Sequence, residues 1–109
     1  MCTFTKNIES SPRIITLAEI LAAIEPAFGV PADLIRSPER RAIASIPRHA
    51  FCLASRQYTK STFEQIAQFL NRHHSTVLAS VHTAECLLSQ DFEDFPQCYR
   101  LFKRILNVD

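Results

Sequence analysis

Basic and hydroxyl side chains are concentrated in the middle of this 109-residue sequence. Between residues 36 and 76 there are seven lysines and arginines but two glutamates, a net charge of +5. The run His74, Ser75, Thr76 closes this stretch and follows another histidine, His73. Guanidinium and ammonium groups bind phosphate oxygens, and short polar side chains such as these hydrogen-bond base edges or phosphate. The pattern therefore favours a polyanionic ligand such as nucleic acid.

The formal net charge of the whole chain is +1 and hides this asymmetry. Residues 83–99 contain four carboxylates and no lysine or arginine. A face built from the basic stretch can meet phosphate, whereas the acidic stretch is repelled by it. We therefore expect one face of the molecule to meet phosphate and another to stay away from it.

Residues suited to catalysis or to metal binding do not form a recognisable set. The sequence has no paired carboxylates, no base with a nucleophile beside it and a single glycine, which excludes a glycine-rich phosphate loop. His73 and His74 have no His or Cys at the spacing of three to five residues that is typical of zinc ligands. We predict no enzyme activity, no metal site and no cofactor.

Cysteine usage and hydropathy indicate a compartment. The four cysteines include no Cys-x-x-Cys pair, and the chain has neither a signal peptide nor an apolar run approaching about 18 residues. We predict a reduced, cytoplasmic protein that does not enter a membrane. Cys52, Cys86 and Cys98 lie among apolar neighbours and are predicted to be core thiols.

Composition and periodicity predict an all-α fold. One glycine, no tryptophan and no long alternating Val/Ile/Thr run argue against a sandwich or barrel. We predict a flexible arm over residues 1–13 and a compact six-helix domain over residues 14–109. The first helix begins with the capping box Thr16-Leu-Ala-Glu19 and ends at Gly29, and Pro31 takes the first position of a short second helix.

The third helix is predicted to begin between Ala42 and Pro47 and to end near Tyr58. Pro47 must then lie in its first turn, because proline disrupts a helix interior. The apolar stripe of this helix consists of Ile43, Ile46, Ala50, Leu53 and Ala54. The polar residues that lie off the stripe are Arg48, His49 and Arg56.

Two helices separated by a tight turn are predicted next. One begins with the capping box Ser61-Thr-Phe-Glu64 and spans residues 62–70, the turn is 71–73, and the other helix runs from His74 to about Gln90. The apolar stripe of this other helix consists of Val77, Leu78, Val81, Ala84 and Leu88. A last helix has Asp94 as its N-cap and Pro96 at its first position, and its apolar stripe consists of Phe95, Tyr99, Phe102 and Leu106.

The pair of helices around the turn has the span and apolar pattern of a helix-turn-helix. The second helix of such a motif presents its N-terminus to DNA. The first backbone N–H groups there lack partners within the helix and lie at the positive end of the helix dipole. A phosphate group therefore binds favourably at this position.

The segment Phe69-Leu-Asn-Arg-His-His-Ser-Thr-Val-Leu-Ala79 resembles a family signature. The signature is Gly-Gly-Arg-Asp-His-Ser/Thr-Thr-Val-Leu/Ile-His-Ala, from the C-terminal DNA-binding domain (domain IV) of the bacterial replication initiator DnaA. The resemblance extends to Ile46-Pro47-Arg48-His49 and to Phe28-Gly29-Val30, and it covers residues 16–109.

This resemblance implies roles for ten residues. Arg40 falls where the family inserts an arginine into the minor groove. The residues at positions near phosphate are Arg48, His49, Thr59, Lys60 and Thr76. The residues at positions that face bases in the major groove are Arg56, His73, His74 and Ser75.

Two departures from the family signature bear on base preference. His73 replaces an aspartate, so a side chain that accepts hydrogen bonds is exchanged for one that can also donate. Asn71 alone stands for the Gly-Gly pair, which shortens the turn by one residue. A target sequence different from the standard initiator box follows as an expectation.

The resemblance implies sequence-specific binding of double-stranded DNA at sites related to the DnaA box. We expect an action in replication control or transcription regulation without ATPase activity, and a monomer rather than a dimer. Replication or transcription proteins are the expected protein partners, if any. The alternative is a protein-interaction module that docks on a replication protein and has lost DNA binding.

Overall fold

A computed structural model describes residues 14–108 of the chain. The six helices are α1 (Leu17–Phe28), α2 (Ala32–Ile35), α3 (Ala42–Tyr58), α4 (Phe63–Leu70), α5 (His74–Ser89) and α6 (Phe95–Leu106). Within residues 14–108 there is no strand, so the all-α prediction and the number of helices are confirmed. The predicted arm, residues 1–13, lies outside the described residues.

Local capping explains where α1 begins and ends. The Thr16 hydroxyl accepts a hydrogen bond from the Glu19 N–H at 3.2 Å, and the Glu19 carboxylate accepts one from the Thr16 N–H at 2.9 Å. Gly29 ends the helix in the left-handed conformation, at φ 70°, where a side chain is disfavoured. The predicted capping box and the predicted end are both confirmed.

Three other helix starts differ from the prediction by one residue. The N-cap of α4 is Thr62, whose capping partner is Gln65, so the predicted box at Ser61 and Glu64 is wrong. Pro31 is the N-cap of α2 rather than its first residue. In α6 the predicted N-cap, Asp94, is confirmed, and Pro96 is the second residue rather than the first. Capping motifs overlap in these polar stretches, and tertiary packing selects the register.

Pro47 is the sixth residue of α3 and lies in its second turn, not in its first. The helix continues through it without the hydrogen bond that an N–H at this position would donate to the Ile43 carbonyl. Pro47 is itself buried, so packing of this part of α3 outweighs the loss of one backbone hydrogen bond.

The core forms around α3, which packs against α5 on one side and α1 on the other, while α1 also packs against α6. The largest fully buried side chains include Phe51 of α3 and Phe102 of α6. All four apolar residues predicted for the stripe of α6 are buried. This arrangement fixes α4 and α5 against α3 and leaves the N-terminus of α5 at the surface.

The predicted apolar stripes of α3 and α5 are each wrong at one residue. Leu78 is 43% exposed and Ile43 is 56% exposed, and neither belongs to the core. Helix α5 buries Val77 and Ala84 as predicted, together with Ser80, which was not predicted. The buried residues Ser80 and Ala84 are small, and Leu78 lies outside the face of α5 that they form.

The cysteines are also less uniform than predicted. Cys52 is buried, Cys98 is partly buried and Cys86 is exposed, so the prediction of a core thiol is wrong for Cys86. None of the helices within residues 14–108 combines the length and the apolar character needed to cross a membrane.

Candidate nucleic-acid interface

The turn between α4 and α5 is closed by backbone hydrogen bonds. Asn71 adopts the left-handed conformation, φ 58° and ψ 49°, which asparagine tolerates better than most residues. The Arg72 N–H then donates to the Ala67 carbonyl at 2.8 Å. Ile66 and Leu70 of α4 and Val77 of α5 are buried on either side of the turn. The single asparagine thus supports a helix-turn-helix without a glycine pair.

His73 caps the N-terminus of α5 in place of a carboxylate. Its Nδ1 accepts a hydrogen bond from the Ser75 N–H at 3.2 Å and lies 2.8 Å from the Ser75 hydroxyl. The ring nitrogen thus accepts the hydrogen bond that a carboxylate oxygen would accept at an N-cap. The His74 ring lies 4.4 Å from the His73 ring, and His73 to Thr76 are all exposed. The helix start therefore presents a cluster of short polar side chains.

This cap predicts opposite outcomes for two substitutions. His73→Ala removes the acceptor and is expected to lower the free energy of unfolding by about 1 kcal/mol. His73→Asp restores a strong N-cap with a charge that suits the helix dipole, so its unfolding free energy should stay within about 0.5 kcal/mol of the wild type. Urea unfolding followed by circular dichroism measures both. Equal destabilisation by the two substitutions would contradict the capping role.

A basic cup lies between the loop of residues 36–41 and the N-terminus of α5. Its volume is about 420 Å³, and it is lined by Pro38, Arg40, Ser45, Arg48, Arg72 and Thr76. Three of these side chains are cationic and none is a carboxylate. A cavity with this lining suits an anionic group such as a phosphate of a larger ligand.

Arg48 is 6% exposed and holds the loop from inside. Its Nε donates to the Ile35 carbonyl at 2.7 Å, and its Nη2 donates to the carbonyls of Ser37 and Glu39 at 2.9 and 3.0 Å. Burial, and then the charge of Arg72, lower the pKa of Arg48 from its ordinary value. The prediction that Arg48 lies off the buried face of α3 is therefore wrong, because loop carbonyls give its charge an internal set of acceptors.

The two neighbouring arginines of the loop differ in their surroundings. Arg41 pairs with Glu39 through Nε at 2.9 Å and Nη2 at 3.2 Å. This contact lowers the pKa of Glu39 to about 2. Arg40 is exposed at the edge of the cup, and among residues 14–108 its guanidinium has no hydrogen bond or ion pair. Arg40 is thus the loop cation that is available to a ligand.

Known proteins share this part of the chain. Residues 17–83 match the family described as the bacterial dnaA protein helix-turn-helix. The chromosomal replication initiator protein DnaA of Geobacter sulfurreducens is 35% identical over 80 residues, 72% of this chain and 18% of that protein. The DnaA of Geobacter metallireducens is 30% identical over 94 residues, 85% of this chain and 21% of that protein.

The chain belongs to the bacterial DnaA helix-turn-helix family. It spans about a fifth of the length of the curated relatives it matches. The matched range includes α4, the turn and the start of α5, and it also includes the whole lining of the basic cup. The chain is therefore a DNA-binding domain of the DnaA type.

The other predicted DNA-binding residues of this DnaA-type domain lie at the junction of α3 and α4. Arg56 donates to the Ser61 carbonyl at 2.9 Å, and its guanidinium lies 4.3 Å from the centre of the Phe63 ring. The Thr59 hydroxyl donates to the Ser55 carbonyl at 2.6 Å, and Lys60 is exposed. None of Arg56, Thr59 and Lys60 lines the cup. They form a second polar group at the other end of the helix-turn-helix.

His49 links α3 to the recognition helix of the DnaA motif. Its Nδ1 lies 3.0 Å from the hydroxyl of Ser80, which is buried in α5. Burial, and then the charge of Arg48, lower the pKa of His49 from its ordinary value. On the same face of α3, burial raises the pKa of Cys52 to about 12, so this thiol stays protonated and is unsuited to nucleophilic chemistry.

The lowered pKa of His49 predicts a loss of stability in mild acid. Unfolded His49 takes up a proton as the pH falls through about 6.5, whereas folded His49 resists it, so acid favours the unfolded chain. The free energy of unfolding should therefore be highest above that pH and fall below it. Urea midpoints at about pH 7.5 and about pH 5.5 measure the difference, and His49→Gln, which keeps a polar partner for Ser80, should reduce it. An unchanged difference in His49→Gln would show that other groups cause it.

Three residues of the cup, Pro38, Ser45 and Arg72, are absent from the predicted set. Arg72 belongs to the basic stretch and directly precedes His73, so its position beside the recognition helix was a usable signal. Ser45 lies one helical turn before Arg48 and carries no signal of its own, because only the rotation of α3 brings it to the cup.

Proposed function

We propose that this chain binds a specific double-stranded DNA sequence related to the DnaA box. The observation that carries this proposal is the basic cup, which joins an unpaired arginine, Arg40, to the exposed N-terminus of α5. One element suits a minor groove and the other suits a major groove, so the two can read adjacent parts of one site.

The individual contacts are part of the proposal. Arg40 enters the minor groove, and His73, His74 and Ser75 read base edges in the major groove. Thr76 and Lys60 contact phosphates. Arg56, held over Phe63, is directed at a base, and Thr59 contacts a phosphate from the loop before α4.

Arg48 and His49 already make contacts within the protein, so each would bind phosphate through its remaining nitrogen. Arg48 contacts phosphate through Nη1, the terminal nitrogen that makes no hydrogen bond among residues 14–108, while its other nitrogens hold the loop. His49 has Nδ1 beside Ser80, which leaves Nε2 for a phosphate.

In the cell, we infer a role in replication control or in transcription regulation. Binding requires no nucleotide, so ATP should leave the DNA affinity unchanged. The domain acts as a monomer on an asymmetric site, since the loop and the recognition helix of one copy together supply both groove contacts. Replication or transcription proteins are the candidate partners.

Selection from a random duplex library tests the proposal. Purified protein is mixed with the library at two salt concentrations, and the bound duplexes are sequenced. An enriched motif is expected, with affinity that falls steeply as salt rises, because phosphate contacts release counterions. A His74→Ala/Ser75→Ala variant serves as the control and should lose the motif while keeping weak, salt-sensitive binding. No enrichment and no bound duplex even at low salt would refute the proposal.

A further inference from the structure

The loop that carries Arg40 is tied to the helix-turn-helix in both directions. Arg72, in the turn between α4 and α5, donates from Nη2 to the Ser37 carbonyl of the loop. Arg36, at the start of the loop, donates from Nε to the Phe69 carbonyl of α4 at 3.1 Å. The loop and the turn are thus joined by reciprocal contacts from arginine to carbonyl.

Both contacts are connected to the core through a neighbouring residue. The Arg36 guanidinium lies 4.8 Å from the centre of the Phe69 ring, and that ring stacks on Phe51 of the core at 5.5 Å. The Ser37 carbonyl that binds Arg72 also accepts the hydrogen bond from buried Arg48. A shift of the loop relative to α5 would therefore disturb several contacts at once.

The shared carbonyl brings the like charges of Arg48 and Arg72 together. Among residues 14–108 neither guanidinium pairs with a carboxylate. Two cations that share one carbonyl acceptor repel each other, and a phosphate in the cup would offset this repulsion. The arrangement is thus better suited to the DNA-bound protein than to a purely structural role.

We propose that Arg72 is a positioning residue that holds the Arg40 loop in register with the start of α5, so that the two contact DNA as one unit. This inference rests on the proposed function and adds a geometric requirement for the DNA site. The parts of the site read by Arg40 and by α5 must have a fixed spacing, and the two contacts are energetically coupled.

A double-mutant cycle tests the coupling on the selected duplex. Arg72→Ala is expected to weaken binding about thirtyfold, as much as Arg40→Ala does alone. Arg40→Ala in the Arg72→Ala background should then add less than about twofold, because the Arg40 contact is already lost. Selection with Arg72→Ala should lose base preference where Arg40 contacts DNA and keep it where α5 does.

The matched comparison pairs Arg40→Ala with Arg56→Ala, whose effects should multiply because Arg56 does not touch the loop. Arg72 would be a simple phosphate contact if the fold losses of affinity in Arg72→Ala and Arg40→Ala also multiplied. In that case the slope of binding affinity against salt concentration should also fall by about one in Arg72→Ala. That result would overturn the positioning role while leaving the proposed function intact.

Hydrogen exchange tests the same inference without DNA. Arg72→Ala should accelerate amide exchange in the segment of residues 36–41 at least about tenfold, with α1 and α6 unchanged. Arg100→Ala, an equal loss of charge on the exposed face of α6, should leave the loop unchanged. Unaltered loop exchange in Arg72→Ala overturns the inference, whether or not the wild type binds DNA. A wild type that binds no duplex refutes the proposed function, and the exchange result still decides the role of Arg72.

Discussion

Replacing Arg48 by alanine is expected to lower the free energy of unfolding by about 3 kcal/mol. The side chain makes three charge-assisted hydrogen bonds to the carbonyls of Ile35, Ser37 and Glu39. Alanine leaves the carbonyls of Ile35 and Glu39 without this donor, although Ser37 keeps Arg72. Relief of the desolvated charge and of the repulsion from Arg72 offsets part of the loss. Urea unfolding followed by circular dichroism measures the net effect.

Two companion variants make the Arg48 experiment specific. Arg48→Lys keeps the charge but has one terminal nitrogen, which cannot span three carbonyls, so its stability should lie between those of Arg48→Ala and the wild type. Arg100→Ala removes a charge from the exposed face of α6 and should change stability by less than about 0.5 kcal/mol. A loss in Arg48→Ala no larger than that in Arg100→Ala would mean that the loop carbonyls find other donors in water.

The burial of Arg48 marks the limit of what could be predicted from the sequence. Helix ends were accessible because a cap needs residues that are close along the chain, as at Thr16, Glu19 and Gly29. The acceptors of Arg48 are backbone carbonyls of an irregular loop, and any residue types could supply them. Pattern reasoning assigns an arginine to the surface and has no information about such acceptors.

The prediction of which α5 residues contact α3 was partly wrong for a related reason. Hydrophobic periodicity placed Leu78 inside and Ser80 outside, whereas Leu78 is exposed and Ser80 is buried beside the correctly predicted Ala84. Helices that pack closely favour small side chains at their contact, and such a side chain can be polar. A stripe defined by apolar character alone therefore leaves out Ser80. The family signature still predicted the start of α5 correctly. His73 is the N-cap and His74 to Thr76 form the first turn, and these positions depend on residues that are close along the chain.

The contrast between Arg40 and Arg41 carries the largest expected effect on binding. Glu39 captures the Arg41 guanidinium through two nitrogens, and Arg40 remains exposed and unpaired among residues 14–108. A free guanidinium can enter a narrow A·T-rich minor groove, where the negative potential is strongest. Arg40→Ala should therefore weaken binding to the selected duplex by about thirtyfold, close to 2 kcal/mol, with the loss concentrated on A·T-rich flanks.

Arg41→Ala is the matched control, since it removes the same charge from the adjacent position. Its expected effect on affinity is less than about threefold, because Glu39 already neutralises much of that charge and the pair is exposed. Titration of both variants against A·T-rich and G·C-rich versions of the site separates groove reading from general attraction. Equal losses for both variants on both duplexes would show that the loop acts through its charge alone. A loss confined to Arg40→Ala on the A·T-rich duplex would identify Arg40 as the residue that reads the minor groove, because general attraction does not depend on base composition.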